Sequence, residues 1–397
     1  MSKIQFLDLG KQPIANGFLY KDQIKDEYFF NLGVAFDEET KLVTQTEYVD
    51  PPLMFNDSYV YRGSMSQTMR THFEEFSYTL PYKGKILEIG SNDGVFIKNF
   101  DPSRTISVEP CGNFAKETQD MGYTTYAEFW TQDLANKILK NHGKQDVIFA
   151  ANCICHIPDL DQTFTAVKSL LSEDGTFIFE DPSLAEVINN NSYDQIYDEH
   201  PHVFSVIALD NILQRNGLQI VKVTNLKVHG GSNRIYAKKI KHWNSMDPIS
   251  PEIDESVEQN KAYERILGLD KLSTFKRFAE KIEQSKKDLV RILKQCKKEG
   301  KKVISYGASS KSTTVFNYCN INSDLISYIT DTTPEKQGKL SPGVHIPVIS
   351  PEQGFDDSVD FAYLGAWNFI REISKKEHKY LAKGGKFITH VPIVKIS

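Results

Sequence analysis

Two histidine-containing segments carry the residue types best suited to acid–base chemistry. Residues 155–158 (Cys-His-Ile-Pro) and residues 193–202 (Tyr-Asp-Gln-Ile-Tyr-Asp-Glu-His-Pro-His) each follow a predicted strand. The second segment places Asp198, Glu199 and His200 in one predicted loop. A histidine beside a carboxylate can act as a positioned base near neutral pH. We therefore expect base chemistry there, although a purely structural role for any single histidine stays open.

A glycine-containing turn after an apolar strand predicts a cofactor site. Residues 86–95 read Ile-Leu-Glu-Ile-Gly-Ser-Asn-Asp-Gly-Val, so Gly90 and Gly94 let the backbone turn tightly and approach a ligand. The turn departs from the dinucleotide pattern G-x-G-x-x-G, because Asn92 replaces the glycine that permits contact with a pyrophosphate. S-adenosylmethionine has no phosphate, so the departure favours this cofactor over NAD.

Further residues at predicted strand ends extend the cofactor site. Glu109 lies 21 residues after Glu88, at the end of the next strand, where a carboxylate can accept hydrogen bonds from both ribose hydroxyls. Carboxyl ends of parallel strands are where such folds bind ligands. The predicted cofactor contacts are Glu88, Gly90, Asn92, Gly94, Glu109, Pro110, Glu128, Phe129 and Asn152. Alternatively, the glycines only make a tight turn and Glu109 is an ordinary surface acid.

Alternating strands and helices predict an α/β fold around this turn. Short apolar runs alternate with helical stretches over residues 84–240, which indicates a parallel, doubly wound sheet. The predicted strands are 85–89, 105–109, 146–151 and 176–180, then 218–223 and 234–239. The predicted helices are 94–99, 113–121, 131–139, 160–171 and 209–216. Gly230 and Gly231 predict a hairpin or bulge before the last strand.

The remaining sequence predicts three further regions around the central 81–240. Residues 1–80 are expected to form a small domain, either α+β or loop-rich, that contacts substrate and ends in a helix near 64–76. Within 241–300, Pro248 and Pro251 mark a linker, and apolar residues spaced three and four apart from Phe275 to Cys296 indicate a long amphipathic helix. Residues 301–397 predict a second, Rossmann-like domain with strands 302–306, 325–330, 360–364 and 386–390.

Composition excludes several classes of protein. The chain has 397 residues, 40% of them hydrophobic, and a net charge of −5, which argues against a nucleic-acid scaffold. No signal peptide or membrane-spanning apolar run is recognisable, so a cytoplasmic location is expected. The five cysteines fit a reducing compartment better than a disulfide framework. Cys153 and Cys155 are expected on opposite faces of a strand, as small buried hydrophobes rather than metal ligands.

Together these motifs resemble the sugar C-methyltransferases that act on nucleotide-linked 4-keto-6-deoxy sugars. The matching segments, which span nearly the whole chain, are residues 6–16, 87–94, 156–159, 179–182, 193–200, 229–232, 306–311 and 328–347. The blocks 193–200 and 328–347 are the most specific of these. The resemblance implies three domains, S-adenosylmethionine as cofactor, a nucleotide-linked keto-deoxy sugar as substrate, a role in deoxysugar biosynthesis and a monomeric enzyme.

The resemblance also implies roles for individual residues. The implied catalytic set is His200 as the base, with Tyr197, Glu199, His156 and either Tyr59 or Tyr61 near it. A base is needed because a C–H bond beside a ketone is only a weak acid. Substrate contacts are expected from Glu180, Ser309, Lys311, Asp331, Lys336 and His345. Backbone N–H groups of residues 307–311 could hold a diphosphate, although turn and cap chemistry would also explain this segment.

One departure from the family is large. The family's N-terminal domain usually holds a structural zinc through four cysteines, whereas the first cysteine of this chain is Cys111. That zinc site cannot be present, and no other metal site is predicted. The apolar bulk of Phe29, Phe30, Phe36 and Tyr48 is expected to replace the metal.

Three functions remain open on sequence alone. The first is methylation of a carbon next to the ketone of the sugar, through an enolate. The second is methylation of a hydroxyl or amine of a nucleotide sugar, which needs no carbon-acid base. The third is a catalytically idle scaffold that has kept the fold.

Overall fold

The N-terminal part is built on long strands rather than loops. The computed structural model describes residues 3–81, 83–240 and 252–397, so the predicted linker prolines Pro248 and Pro251 lie outside the described residues. An antiparallel sheet has the order β1 (Lys3–Pro13), β2 (Phe29–Asp37), β3 (Val43–Gln45) and β9 (His202–Val203). Two helices follow it, α1 (Pro51–Met54) and α2 (Gln67–Ser77).

Of the two architectures that the sequence left open for this part, the structure has the α+β one, and irregular pairing explains why the strand period is hard to recognise in the sequence. The pairing of β1 with β2 shifts register twice, so the alternation of buried and exposed side chains is interrupted. The fourth strand, β9, directly follows the predicted catalytic loop. The N-terminal sheet is therefore completed by the segment that carries the candidate base.

The central part has the doubly wound fold that the sequence predicts. Its seven strands are β4 (Ile86–Ile89), β5 (Thr105–Val108), β6 (Thr124–Tyr126), β7 (Gln145–Ala151), β8 (Leu171–Pro182), β10 (Leu218–Leu226) and β11 (Ser232–Lys239). The sheet order is β10-β11-β8-β7-β4-β5-β6, and only β11 runs antiparallel to its neighbours. Strand order reverses at β4, and such a switch point opens a crevice where ligands bind.

Five helices accompany this sheet. They are α3 (Gly112–Asp120), α4 (Gln132–His142), α5 (Leu160–Leu170), α6 (Leu184–Asn189) and α7 (Val206–Arg215). The helix predicted at 94–99 is only one 3₁₀ turn, Ile97–Asn99. Gly94 has a φ of +75°, which a helix cannot include, and Pro102 forces the residue before it into extended backbone. The predicted hairpin at Gly230 and Gly231 joins β10 to β11.

The C-terminal part begins with two helices, α8 (Ser256–Leu267) and α9 (Leu272–Lys298), and then forms a six-stranded sheet. Its strands are β12 (Val303–Tyr306), β13 (Ile329–Thr330), β14 (Val348–Ile349), β15 (Phe361–Leu364), β16 (Lys386–Thr389) and β17 (Lys395–Ile396), in the order β14-β13-β12-β15-β16-β17. The remaining helices are α10 (Ser310–Cys319), α11 (Pro351–Gly354), α12 (Ile370–Lys376) and α13 (His378–Ala382). All pairings are parallel except that of β17.

The long helix α9 supplies the core that supports the N-terminal sheet. Its Phe275 is fully buried, with its ring centroid 5.1 Å from Phe6 and 4.8 Å from Phe36. Phe30 is buried too, as expected of a residue that replaces a metal centre, but Phe29 is 42% exposed. Among the helices of the described ranges, none combines the length and apolarity needed to cross a bilayer.

Candidate active site

A cavity of about 630 Å³ lies where the three parts of the chain meet. Most predicted site residues line it: Tyr59, Tyr61, Glu88, Gly90, Asn92, Glu109, Pro110, Phe129, Asn152, His156, Tyr197, Glu199, His200, Ser309, Lys311, Asp331 and Lys336. They come from the carboxyl ends of β4, β5 and β7, from the N-terminal segment after α1, and from the start of α10. Others come from the segment after β6 (Phe129), the loop before β9 (Tyr197, Glu199 and His200) and the segment after β13 (Asp331 and Lys336). The fold thus brings together residues that lie up to 277 positions apart in sequence, from Tyr59 to Lys336.

Two predicted cofactor residues lie outside this lining. Glu128 is an exposed acid that forms an ion pair with Lys137 (2.6 Å), since its side chain points to solvent after β6. Gly94 serves the turn itself, with its positive φ and close packing against Thr118. Neither residue lines the cavity, and direct cofactor contact stays a prediction for both.

Two predicted substrate residues are also engaged elsewhere. Glu180 is buried between Arg234 and His72, with O–N distances of 2.6 and 2.7 Å. His345 lies 2.7 Å from a carboxylate oxygen of Glu27 and joins the C-terminal part to the N-terminal part. Both side chains are paired with other protein side chains and neither lines the cavity, so substrate contact by them stays a prediction.

The part of the cavity formed by the ends of β4 and β5 contains two glutamates, Glu88 and Glu109, and is called the cofactor end here after its predicted ligand. Glu109 accepts backbone N–H bonds from Asn92 (2.7 Å) and Cys111 (2.9 Å), which fixes its carboxylate at the turn. Glu88 lies on the neighbouring strand, and its Oε2 is buried without a partner among the described residues. Burial, Glu109 and Asp93 together raise the pKa of Glu88. Carboxylates here repel a diphosphate but suit hydroxyl donors and a cation, so the residues fit S-adenosylmethionine.

Asn92 holds the N-terminal segment in place, a role that its sequence position does not indicate. Its backbone φ is +49°, and its side chain accepts from the N–H of Gly63 (2.9 Å) and donates to the carbonyl of Tyr61 (3.0 Å). The same N-terminal segment is held at its other end, where Asp57 accepts from the N–H of Gly112 (3.0 Å). Asn92 therefore fastens the tyrosine-bearing segment over the cofactor turn.

His200 has the tautomer that a base requires. Its Nδ1 lies 2.7 Å from the carbonyl oxygen of Gln195, and a carbonyl only accepts, so Nδ1 carries the proton. Nε2 is consequently free to take a proton. Burial, followed by the charges of His156 and Lys311, lowers the pKa of His200 well below its ordinary value. The ring is neutral at physiological pH, as base catalysis needs.

Three aromatic rings fix the position of His200. Tyr197 lies 4.0 Å from it between ring centroids, and His156 stacks on it at 5.1 Å. Phe55 stacks on the other side of His156 at 5.4 Å. Burial lowers the pKa of His156 to about 3, so this ring is neutral as well. Sequence reasoning missed Phe55, because no pattern links it to a histidine 101 positions away.

Glu199 connects the candidate base to the N-terminal part. Its two carboxylate oxygens accept from the hydroxyl of Tyr59 (2.9 Å) and the side-chain amide of Asn16 (2.7 Å). Burial raises the pKa of Glu199, and it also raises that of Tyr59, whose hydroxyl therefore stays protonated. Tyr61 lines the cavity too but is 43% exposed. Of the two tyrosines that the sequence left open, Tyr59 is the one joined to the catalytic loop.

Cys155 belongs to the loop rather than to a strand. Strand β7 ends at Ala151, and Asn152 then turns the chain with a φ of +48°, so the predicted strand position of Cys153 and Cys155 was wrong. Within the described ranges, Cys155, His156 and His200 form the one group of three potential metal ligands, with ligand atoms within 4.8 Å of one another. A metal bound there would block the free nitrogen of His200.

The start of α10 presents one unpaired cation to the cavity. Asp331 is engaged by the backbone N–H groups of Ala308 (2.7 Å) and Thr333 (2.8 Å), and Lys336 donates to the carbonyl of Ala308 (2.7 Å). Lys311, by contrast, has no hydrogen-bond or ion-pair partner in the described part of the chain. Burial lowers its pKa, which Asp194 and Glu199 counteract. An ammonium in this setting is available to an anionic ligand.

Known proteins match the chain along its whole length. Family profiles match residues 1–55 (putative zinc binding domain), 61–223 (methyltransferase domain) and 227–392 (C-methyltransferase C-terminal domain). The C-methyltransferase NovU of Streptomyces niveus is 30% identical over 398 residues, which cover 98% of this chain and 93% of that protein.

Two solved methyltransferase structures each match less than half of this chain. The CurJ carbon methyltransferase is 18% identical over 45% of this chain and 56% of its own, with a TM-score of 0.34. The magnesium protoporphyrin IX methyltransferase of Synechocystis PCC 6803 is 16% identical over 44% of this chain and 82% of its own, with a TM-score of 0.31. These scores are too low to support any statement about the site.

The N-terminal residues do not fit the zinc that the matching profile describes. Zinc in structural sites is bound mainly by cysteine and histidine. Residues 1–55 contain neither, since the first histidine is His72 and the first cysteine is Cys111. Strand β9 and the aromatic face of α9 support the sheet instead.

Chelation is accordingly expected to leave the protein intact. Overnight treatment with EDTA or 1,10-phenanthroline should change neither the Tm nor the far-UV circular dichroism, because packing rather than a metal holds the N-terminal sheet. Differential scanning fluorimetry before and after treatment measures this. A lowered Tm that added Zn²⁺ restores would contradict it.

Proposed function

Because the chain belongs to the S-adenosylmethionine-dependent C-methyltransferases, we propose that it methylates a carbon next to the ketone of a nucleotide-linked keto-deoxy sugar. The observation that carries the proposal is the state of His200. A neutral imidazole with a free Nε2 lines the same cavity as the acidic cofactor end and the unpaired Lys311. Methyl transfer to a hydroxyl or amine needs no base that removes a proton from carbon, so exchange of a substrate C–H with solvent distinguishes the two reactions.

In the proposed reaction, His200 removes a proton from the carbon beside the ketone. The proton passes to Nε2, and the electron pair of the C–H bond moves to the ketone oxygen to give an enolate. S-adenosylmethionine, when bound, would supply the activated methyl group: the enolate carbon would form the new C–C bond as the S–CH₃ bond breaks, and S-adenosylhomocysteine would be the leaving group. Glu88 and Glu109, which line the same cavity, suit the positive charge and hydroxyls of that cofactor.

A hydroxyl donor near His200 would stabilise the enolate oxygen. The hydroxyl of Tyr197 has no hydrogen-bond partner among the described residues, and burial raises its pKa, so it stays protonated and available. The hydroxyl of Tyr59 already donates its one proton to Glu199, so Tyr197 is the donor assigned to the enolate oxygen. Donors that are already positioned for a developing oxyanion contribute several kcal/mol in comparable sites, about 3–4 kcal/mol each.

The nucleotide end of the substrate would lie at the C-terminal part. Among the described residues, the ammonium of Lys311 and the backbone N–H groups of Ser310 and Lys311 have no hydrogen-bond partner. Both kinds of donor favour a diphosphate. Ser309 and Asp331 shape this end rather than bind directly: Ser309 caps α10 through the N–H of Ser312 (3.1 Å), and Asp331 holds the turn before it.

The pH dependence follows from the lowered pKa of His200. Because the base must be neutral, kcat/KM should stay flat as the pH falls through about 6.5, where an ordinary histidine takes up a proton. The acid limb should appear only at lower pH. Rates measured between pH 5 and 8, with enzyme stability checked at each pH, test this. An acid limb centred near an ordinary histidine pKa would contradict the buried, neutral base.

The proposed function is tested by locating the methyl group in the product. A panel of nucleotide-linked 4-keto-deoxy sugars is incubated with S-adenosylmethionine carrying a ¹³C-labelled methyl group, and products are analysed by mass spectrometry and ¹³C–¹H NMR. We expect a methyl signal bonded to a ring carbon next to the ketone. A methyl group on oxygen or nitrogen would replace the proposal with the alternative chemistry. Cofactor binding without any product would favour an idle scaffold.

A further inference from the structure

The loop that carries His200 is anchored in the C-terminal part of the chain. Asp194 is fully buried, and its Oδ2 accepts from the indole N–H of Trp367 (2.6 Å) and lies 3.5 Å from Nε2 of His390. His390 is itself held by the hydroxyl of Tyr363 (2.9 Å). Strands β15 and β16 thus reach, through these side chains, the loop after β8.

The anchored residue lies directly next to the group that orients the base. Asp194 and Gln195 share one 3₁₀ turn, Tyr193–Gln195, and the carbonyl of Gln195 accepts the Nδ1 proton of His200. The side-chain amide of Gln195 also donates to the carbonyl of His229, which holds the turn from its other side. A shift of this turn would move the carbonyl that selects the tautomer of His200.

Trp367 has no second polar task in the cavity. Its ring packs against Gly230, where an added Cβ would lie 2.6 Å from the ring. Its neighbours Ala366 and Asn368 line the cavity, whereas Trp367 does not. The indole therefore joins the cavity-lining segment of Ala366 and Asn368 to the turn that orients His200.

The charge at Asp194 is retained despite burial. Burial raises the pKa of a carboxyl group, but His390, Lys311 and the Trp367 bond outweigh it and lower the pKa of Asp194 below its ordinary value. Removal of this carboxylate would leave the indole N–H of Trp367 without its acceptor. Burying a charged carboxylate costs free energy, and its retention here indicates a role in fixing the position of this turn.

We propose that Asp194 is a positioning residue, through which Trp367 and His390 of the C-terminal part hold His200 in its base-competent tautomer. Asp194 touches neither substrate nor cofactor in this scheme; it acts through the carbonyl of Gln195. The kinetic consequence rests on the proposed function, whereas the tautomer of His200 does not.

Three variants separate position from charge. Asp194→Ala removes the acceptor, and Asp194→Asn keeps an oxygen for Trp367 but removes the charge. Trp367→Phe removes the indole donor together with part of the ring that packs against Gly230. Asp324→Asn is the matched control, because Asp324 is a 77% exposed acid in the same part of the chain. If Asp194→Ala fails to fold, Trp367→Phe tests the same bond.

The first readout is ¹⁵N NMR of the histidine side chains, with the His200 signals assigned by their loss in His200→Asn. We expect protonated Nδ1 and unprotonated Nε2 in the wild type and in Asp324→Asn, and a mixture of tautomers in Asp194→Ala and Trp367→Phe. A wild-type His200 spectrum in folded Asp194→Ala, or in Trp367→Phe where that variant stands in for it, would overturn the proposal.

The second readout is the split between kcat and KM. We expect kcat to fall by about tenfold or more in Asp194→Ala, the equivalent of one hydrogen bond to a charged group, and less in Asp194→Asn. The KM for S-adenosylmethionine should stay unchanged. A wild-type kcat in Asp194→Ala would also overturn the proposal. If the wild type methylates no sugar in the panel, this result counts against the proposed function alone. The positioning role of Asp194 is then decided by the NMR spectrum of His200.

Discussion

His200→Asn is expected to lower kcat for methyl transfer by roughly 100- to 10,000-fold, the usual contribution of a general base. Asparagine retains a side-chain donor near the carbonyl of Gln195 but has no nitrogen that can take a proton. The affinity for S-adenosylmethionine should not change, because the cofactor end is built from β4 and β5. Steady-state kinetics and isothermal titration calorimetry measure the two quantities.

His378→Asn is the matched control for this substitution. His378 is exposed at the start of α13 and bonds only to the carbonyl of Lys375 (3.1 Å). It should keep wild-type kcat and Tm. If folded His200→Asn turned over substrate at a near-normal rate, another group would have to be the base, and His156 would be the first to examine.

Lys311→Met is expected to raise the KM for the nucleotide sugar by roughly 10- to 100-fold, the range for losing a hydrogen bond to a charged group. The ammonium has no protein partner within the described ranges, so its loss is felt by the ligand rather than by the fold. Methionine keeps most of the apolar stem. The KM for S-adenosylmethionine and kcat at saturating sugar should change much less.

Lys297→Met controls for the loss of one positive charge. Lys297 is 56% exposed near the end of α9 and lies 3.8 Å from Asp324, so its substitution should leave both KM values unchanged. A wild-type KM for the sugar in Lys311→Met would contradict the proposal that the diphosphate binds at the start of α10. Lys336 would then be the cation to test.

Local patterns in the sequence predict the central sheet well because its strands are short, buried and bounded by turn residues. Glu88, Gly90 and Glu109 lie at the ends of β4 and β5 as expected, since parallel strands align their carboxyl ends. The same patterns mislead where a side chain is consumed by a distant partner. Glu180 is an example, because no residue near it in sequence indicates that Arg234 and His72 lie beside it in the fold.

The contacts that complete the site are long-range and leave no periodic signal. Asn16 reaches Glu199 across 183 positions, and Thr44 pairs with His202 across 158. Asn92 shows the converse error: its sequence position suggested only a missing glycine, whereas its side chain binds the segment that carries Tyr59 and Tyr61. Such pairings depend on how separate sheets pack, which composition and spacing do not encode.

The most direct test of the central claim is solvent exchange at the substrate carbon in the absence of the methyl donor. A nucleotide-linked keto sugar that the wild type methylates is incubated in D₂O with each enzyme and followed by mass spectrometry and NMR. If His200 removes the proton, the wild type should introduce deuterium at the carbon that is later methylated, and His200→Asn should not. Equal exchange by both enzymes would contradict the assignment of His200 as the base.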